Sequence, residues 1–476
     1  MIADLKPYAE YRESGLPWLG YVPRHWDVQR AKLLLREVDS RSTSGKEQLL
    51  RVSQYTGVTQ RKTAEGSESP DTRASSLVGY KRVMPSDLVI NIMLAWNGSM
   101  GVSRYDGIAS PAYCVYRFKP GAMPWYYHEL LRLPLYKGRI KTASTGVVES
   151  RLRLYSDDLG RIEVIQPPPA EQAAIVRFLG WANGRLERAI RAKQKVIVLL
   201  NEQKKAIIHR AVTHGLDPTV PLKPSGVPWL GNIPQHWKVR RLKVLVSQID
   251  QGVSPLAVGF LAEGDSWGVL KSGCVNRGVF RETEHKQLAR SFEIDPAIVV
   301  RTGDVLISRA CGSPTLVGSV GRVKSLRYRL ILSDKTFRAC FRDSVDADFM
   351  VFAMNSRYYR HHVEQAISGA EGMANNLPLS SLRDFTFAVP RKTEASEIAA
   401  HLERETAGIH AAISRLEREI ELFREYRTRL VADVVTGKLD VREAALHLPD
   451  EATPDTTEDP ADLNTDADTS DEEATL

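Results

Sequence analysis

Ser14–Leu35 reads SGLPWLGYVPRHWDVQRAKLLL, and Ser225–Val246 reads SGVPWLGNIPQHWKVRRLKVLV. Thirteen of these 22 positions are identical at an offset of 211, without a gap. They include Trp18/Trp229, Pro23/Pro234, His25/His236 and Trp26/Trp237. Chance does not place two tryptophan pairs in one short window, so the chain contains an internal duplication. A second match aligns Leu154–Asp217 with Leu377–Asp440 at an offset of 223. Each copy passes through a strand-like run (Arg161–Ile165, Asp384–Val389), reaches a proline (Pro167, Pro390) and enters a long helical stretch. The copies end alike, at Val212-Thr213-His214-Gly215-Leu216-Asp217 and Val435-Thr436-Gly437-Lys438-Leu439-Asp440. The difference in offset places a net insertion of twelve residues in the second copy. Two large units do not make a solenoid, whose period is about 20–50 residues. They predict a pseudo-two-fold molecule, suited to a partner that also has two related halves.

The helical stretches carry heptads. In the second, Leu402, Ile409, Leu416, Phe423 and Leu430 recur every seven residues, with Ile413, Ile420 and Val434 four further on. In the first, Leu179, Leu186, Leu200 and Ile207 hold the matching places, with Ile190 and Ile197 between and Lys193 as a break. That 4-3 spacing is a seam for another helix. Asn183 and Lys204 are polar at alternate positions, where they weaken packing but set register. Pro169 and Glu171 open the first helix, and Thr393 and Glu394 can cap the second. Gly215 and Gly437 lie where C-terminal glycines belong. Each helix should run about 40–45 residues, or roughly 60–65 Å. The natural partner for one is the other, and pseudo-two-fold symmetry makes them antiparallel.

The 476 residues suggest two to four domains. No apolar run is long enough for a membrane span, and the start lacks a signal-peptide core. Cys114, Cys274, Cys311 and Cys340 are too scattered for a disulfide framework or a CxxC metal site, and fit a reducing cytoplasm. Net charge is +7, but eleven acids and no base lie between Asp450 and Leu476, which leaves +18 on residues 1–449. So basic a body points to a polyanion, nucleic acid above all.

Residues 28–165 and 239–390 mix short β-like runs, such as Asp87–Ile92 and Asp304–Ser308, with Gly-rich loops at 96–101 and 312–318. A mixed α+β domain is expected in each. The chain has no GxxxxGK[ST] phosphate loop, no strand-borne GxGxxG and no Asn-Pro-Pro-aromatic tetrapeptide. His361-His362 lacks a companion at metal-ligand spacing and reads as a surface pair. Glu284-His285-Lys286 resembles the tail of a nuclease motif, but the other copy has no equivalent. His25 and His236 lie between proline and tryptophan, where packing is the expected role. The four duplicated tryptophans are expected to be anchors rather than platforms for a flipped base.

The duplicated Trp-Leu-Gly-x-x-Pro-x-His-Trp segment, opening two units each closed by a long helix, resembles the specificity subunit of type I restriction-modification systems. Pro168–Gln172 and the Gly303–Ser308 run resemble that family too, as does the Leu152–Pro167 spacing, matched in part by Leu377–Pro390. The likeness covers about residues 10–445. It departs at Arg391-Lys392-Thr393-Glu394-Ala395, where the family often has Pro-x-x-Glu-Gln, and in the acidic tail. The resemblance implies two α+β target recognition domains, 1–166 and 216–390, joined by spacer helices 167–215 and 391–445. The helices would pair as an antiparallel coiled coil with pseudo-two-fold symmetry; the acidic tail at 446–476 is no part of the resemblance, and its composition alone predicts disorder. Each domain would read one half of a bipartite, asymmetric site in double-stranded DNA. The coil would space them and dock two methyltransferase subunits, with restriction-translocase subunits joining. The chain itself would be non-catalytic and bind no cofactor, since S-adenosylmethionine, ATP and Mg2+ belong to partner subunits. The other reading is a two-domain DNA-binding scaffold or regulator unrelated to modification.

Base readout uses Arg, Lys, Asn, Gln or Ser on loops that reach a groove. The candidates in the first unit are Arg41, Gln54, Arg61, Lys62, Arg73, Lys81, Arg82, Trp96, Asn97 and Ser99. In the second they are Lys271, Ser272, Asn276, Arg277, Arg281, Arg309, Lys335, Asn375 and Asn376. Each competes with an ordinary role as a solvated surface residue. Arg185, Arg188, Arg191, Arg415 and Arg418 on the helices are expected to face solvent or a methyltransferase. The tail is expected to be disordered, with solubility as its plain role and competition with DNA for the basic body as the sharper one.

Overall fold

The computed structural model describes residues 5–61, 74, 76–148, 151–367 and 375–449. Lys62, Arg73 and the acidic tail from Asp450 lie outside them. The chain divides into two compact units, one of residues 1–192 with 419–476, the other of residues 193–418. This differs from the linear division into domains and spacer helices. An amphipathic helix must bury its face on something, and each unit takes half of both long helices to do so.

The first unit is built on a four-stranded antiparallel sheet, in the order Leu35–Glu37, Tyr113–Phe118, Leu88–Asn91, Met100–Val102. Leu88–Asn91 is buried throughout, as befits a central strand that begins Leu88-Val89-Ile90, with Asn91 buried at its end. Helices α1 (Pro124–Leu131) and α2 (Pro134–Ala143) each start on a proline and bury Tyr126, Tyr127, Leu130, Tyr136 and Ile140. Helix α3 (Ser156–Arg161) then leads into strand Glu163–Gln166, which pairs with Asp27–Arg30. From that strand the chain enters α4 (Pro169–His214).

The second unit repeats this plan. Its sheet runs Val246–Gln251, Thr336–Phe341, Val305–Ser308, Val320–Arg322. Helix α5 (Leu242–Leu245) precedes the first of these strands. Helices α6 (Ala347–Ala353), α7 (Arg357–Ala366) and α8 (Leu379–Asp384) follow, then strand Thr386–Val389 and α9 (Lys392–Val435). The duplication holds to the register. Val28 faces Ile165 as Val239 faces Ala388, and Ile90 faces Met100 as Ile307 faces Val320. The second unit adds a four-stranded sheet of Ala257–Val258, His285–Leu288, Trp267–Leu270 and Arg329–Ile331 over a core of its own. His285 is fully buried there, accepting from the Ala262 N–H at 2.9 Å, while Lys286 faces solvent, so the histidine of the nuclease-like tripeptide is interior packing and does not share a site with the lysine.

In the first unit, Ile175, Phe178, Leu179 and Ala182 of α4 share a core with Leu430, Val431 and Val434 of α9. In the second, Ile208, Ala211 and Val212 share one with Ala395, Ile398, Ala399 and Leu402. Within each unit the two helices therefore run antiparallel. Of the seam positions, Leu179, Ile190, Leu402, Ile420, Leu430 and Val434 are buried. Leu186, Ile197, Leu200, Ile207, Ile409, Ile413, Leu416 and Phe423 are half-buried. Helix α9 stops at Val435, ten residues short of the expected 445. Gly437, at φ +77°, ends it in the left-handed region. The chain then turns back through α10 (Arg442–Leu446), and Val441, Ala445 and Leu448, in and beside that helix, join the first unit's core. No described helix is long and apolar enough to cross a membrane.

Candidate nucleic-acid interface

The scaffold beneath the candidate loops is a latch that each unit repeats. Trp26 is fully buried, and its indole N–H donates to Glu171 Oε2 at 2.9 Å. His25 Nε2 lies 2.7 Å from Glu171 Oε1, and the Tyr8 hydroxyl donates to Oε2 at 3.1 Å. Arg442 approaches Oε1 at 3.5 Å. In the second unit the Trp237 indole N–H donates to Glu394 at 2.8 Å, and His236 lies 2.8 Å from it. The duplicated His-Trp pair thus grips the acid in the first turn of a long helix. It also seats the end of the other helix. A Cβ on Gly437 would stand 2.9 Å from the Trp26 ring, and one on Gly215 would stand 3.5 Å from Trp237. The acids were legible only as dipole partners; their role as acceptors needed the fold. Gln172 is buried beside Glu171, accepting from the Met123 N–H and donating to the carbonyls of Gly121 and Pro167. The second copy has the small, buried Ala395 there.

In the first unit one side chain gathers two candidate loops. Arg132 donates to the carbonyls of Ser53 (3.4 Å), Gln54 (3.0 Å), Tyr55 (2.8 Å) and Gly98 (3.2 Å), and also to Met100. Burial weakens its hold on its proton, opposed by Glu129. Gly57 and Gly101 let the two loops meet, since a Cβ on Gly101 would lie 3.0 Å from Gly57 Cα. Behind them His128 Nδ1 accepts from the Val102 N–H at 3.1 Å. Burial, reinforced by Arg132 and Arg104, pulls the His128 pKa down to about 3, so the ring is neutral. In the loop itself Asn97 Oδ1 accepts from the Ser99 amide and hydroxyl, which leaves its NH2 as the group it can offer. Trp96 is half-buried, donates to the Met93 carbonyl and carries the Lys141 ammonium over its ring at 5.4 Å.

The remaining first-unit candidates separate by burial. Ser99 is enclosed, and so is Lys81, which pairs with Asp39 at 3.6 Å. Both hold the domain together and leave the solvent-facing set, because a groove cannot reach a closed side chain. Arg41 shares Asp39, and Arg82 lies between Glu47 and Asp106. Arg41 is exposed and Arg82 half-buried, and ion pairs that water reaches are weak enough for a phosphate to replace. Arg61 is half-buried at the end of its strand.

The second unit also collects its candidates. Strand Ala310–Cys311 pairs with Asn375–Asn376. Arg309 N–H donates to the Lys335 carbonyl, and its guanidinium to that of Asp334, each at 2.9 Å. The turn Ser272–Gly278, which carries Ser272, Asn276 and Arg277, packs against Ala310–Cys311. Arg277 is exposed at φ +60°, and Arg281 donates to the Asn276 carbonyl at 3.2 Å. Lys271 stands 4.0 Å from Glu284. Arg360 supports the Gly-rich loop from beneath through the carbonyls of Pro314, Thr315 and Val317. Neither Arg132 nor Arg360 carried any signal in the sequence. His362 proves half-buried, stacked on Phe385 and accepting from the Trp229 indole. Among the described residues no three His, Cys, Asp or Glu side chains gather as a metal site.

An α+β unit made twice, each copy latched to the first turn of a long helix, is a known fold. A solved chain described for complex assembly and conformational transition of the type I R-M system superposes with a TM-score of 0.59. The superposition covers 88% of this chain and 99% of that one at 16% identity, so the likeness is one of fold. In sequence the chain resembles type I restriction enzyme specificity subunits. It is 30% identical over 160 residues to the EcoEI specificity subunit of Escherichia coli, covering 33% of this chain and 27% of that relative's length. It is 21% identical over 382 residues to the EcoKI specificity subunit of E. coli strain K12, covering 75% and 79%. No family model matches the chain.

Proposed function

We propose that the chain is the DNA sequence-specificity subunit of a type I restriction-modification complex. Each unit reads one half of a bipartite, asymmetric site. Helices α4 and α9 form an antiparallel coiled coil that spaces the units and docks methyltransferase and restriction subunits. The chain is non-catalytic, acts in the cytoplasm, and leaves S-adenosylmethionine, ATP and Mg2+ to its partners. The observation that carries this reading is the duplication itself. The same latch, sheet order and strand register occur twice, and each copy offers a cluster of cations and amides on loops. Cations that contact phosphate position a protein on DNA, and amides and guanidiniums read bases. Similarity to named specificity subunits supports the same conclusion.

The test is to co-express the chain with candidate methyltransferase subunits and sequence the methylated DNA. A bipartite methyladenine motif is expected. Exchange of residues 28–165 should change only one half of it. Methylation with no bipartite motif, or a motif altered in both halves, would refute the reading.

A further inference from the structure

Between Gln251 and Ser266 the second unit turns apolar side chains outward. Leu256 is 87% exposed and Phe260 76%, and Val253, Val258 and Leu261 are open to solvent beside them. The backbone that bears them is pinned at several points. A Cβ on Gly252 would meet the Leu332 carbonyl oxygen at 2.0 Å, and Val253 forms a parallel bridge with Ser333. Ala257–Val258 pairs with Gln287–Leu288, and the Gln287 N–H donates to the Phe260 carbonyl at 2.9 Å. Apolar side chains held outward by a fixed backbone are unfavourable in water unless a partner covers them.

The position of this lobe indicates the partner. Its root lies on the 333–336 turn, where Lys335 is exposed. The Asp334 carbonyl in that turn accepts from both Gln251 and Arg309. The lobe is therefore continuous with the surface of Arg309, Lys335, Asn375 and Asn376. Lys286 is exposed on the strand that pairs with it. Of the nearby acids, Asp250 is bound to Arg338 and Asp265 to Arg329, Asp334 is half-buried in the root turn, and Glu263 is exposed at the far end of the segment. A surface of cations and amides edged by apolar side chains suits duplex DNA. The cations meet phosphates, while apolar side chains meet thymine methyls or part a base step.

We propose that Leu256 and Phe260 form an apolar wedge that enters a groove of the half-site read by the second unit and contacts its bases. The inference rests on the specificity-subunit reading and names residues that reading does not. The first unit has polar chain between the equivalent strands, Ser40-Arg41-Ser42-Thr43-Ser44-Gly45-Lys46, so the two half-sites meet different chemistry.

The test uses the full chain assembled with its methyltransferase subunits, and a duplex carrying the site found by methylation sequencing. The double variant Leu256→Ser/Phe260→Ser should bind that duplex roughly ten- to a hundred-fold more weakly. Its affinity for random duplex and its salt slope should stay as in the wild type, since phosphate contacts are untouched. 5-Iodouracil in place of thymine in that half-site should cross-link to Phe260 of the wild type. Unchanged site affinity with no cross-link overturns the wedge alone. Loss of methyltransferase co-purification by the variant would make the lobe a protein-docking surface and also overturn it. A wild-type assembly that binds no bipartite site overturns the specificity reading and the wedge together.

Discussion

The latch allows a comparison within one chain, because Glu171 and Glu394 do the same work in different surroundings. The Glu171 side chain is 9% exposed and has Trp26, Tyr8, His25 and Arg442 around it. The Glu394 side chain is 30% exposed and has Trp237 and His236. Glu171→Ala leaves two buried donors, the Trp26 N–H and the Tyr8 hydroxyl, without an acceptor, at about 1–3 kcal/mol each. Loss of the charge-assisted contacts adds to this, so the first unit should lose about 3–5 kcal/mol. Glu394→Ala strands one buried donor, Trp237, while water reaches His236, for about 1–2 kcal/mol. At roughly 2–4 °C per kcal/mol for units of this size, the first variant should lower its unit's transition by roughly 6–20 °C. The second should lower its own by roughly 2–8 °C. Hydrogen exchange read by mass spectrometry resolves the units, which a single melting temperature cannot do for a multi-domain chain. Protection should fall around Tyr8, Trp26 and α10 in Glu171→Ala, and around Trp237 and α6, whose Phe349 packs on Trp237, in Glu394→Ala. Equal losses in both variants, or a loss spread evenly over the chain, would refute the argument from burial.

Four further outcomes follow from the structure and the proposed function. Arg132→Met frees five loop carbonyls and should weaken recognition of one half-site with the other intact; binding to duplexes mutated in either half checks this. His128 stays neutral in the fold but binds a proton once unfolded, so its contribution is complete above about pH 6.5 and is lost as pH falls toward 3. Between pH 7 and 5 the urea midpoint of the wild type should drop more than that of His128→Leu, with a slope difference of at most about 1.4 kcal/mol per pH unit. Glu187 meets Arg427 and His410 feels Lys204, so excising 193–199 together with 415–421 removes facing heptads. The coil should shorten by about 10 Å, and methylation sequencing should show a spacer about three base pairs shorter between unchanged half-sites. Deleting 450–476 should tighten binding to random duplex at low salt, and unchanged affinity would leave the tail a solubility role only.

Much of this protein can be read from its sequence. Repetition at two offsets announces two like units, because identical local sequence folds to identical local structure, and the shared strand registers bear this out. Heptads and terminal glycines announce two long helices, since period and chirality are local properties of a chain. The +18 body and the loops rich in Arg, Asn and Ser indicate a polyanion, since charge adds up without regard to fold. What needed the tertiary structure was every relation between residues distant in the chain. Nothing local ties His25 and Trp26 to Glu171, or Arg132 to carbonyls 77 to 79 residues earlier. Nor does sequence distinguish Lys81, enclosed beside Asp39, from its more accessible neighbour Arg82. Burial decides which cations can reach a ligand, and burial is a property of the packed chain alone.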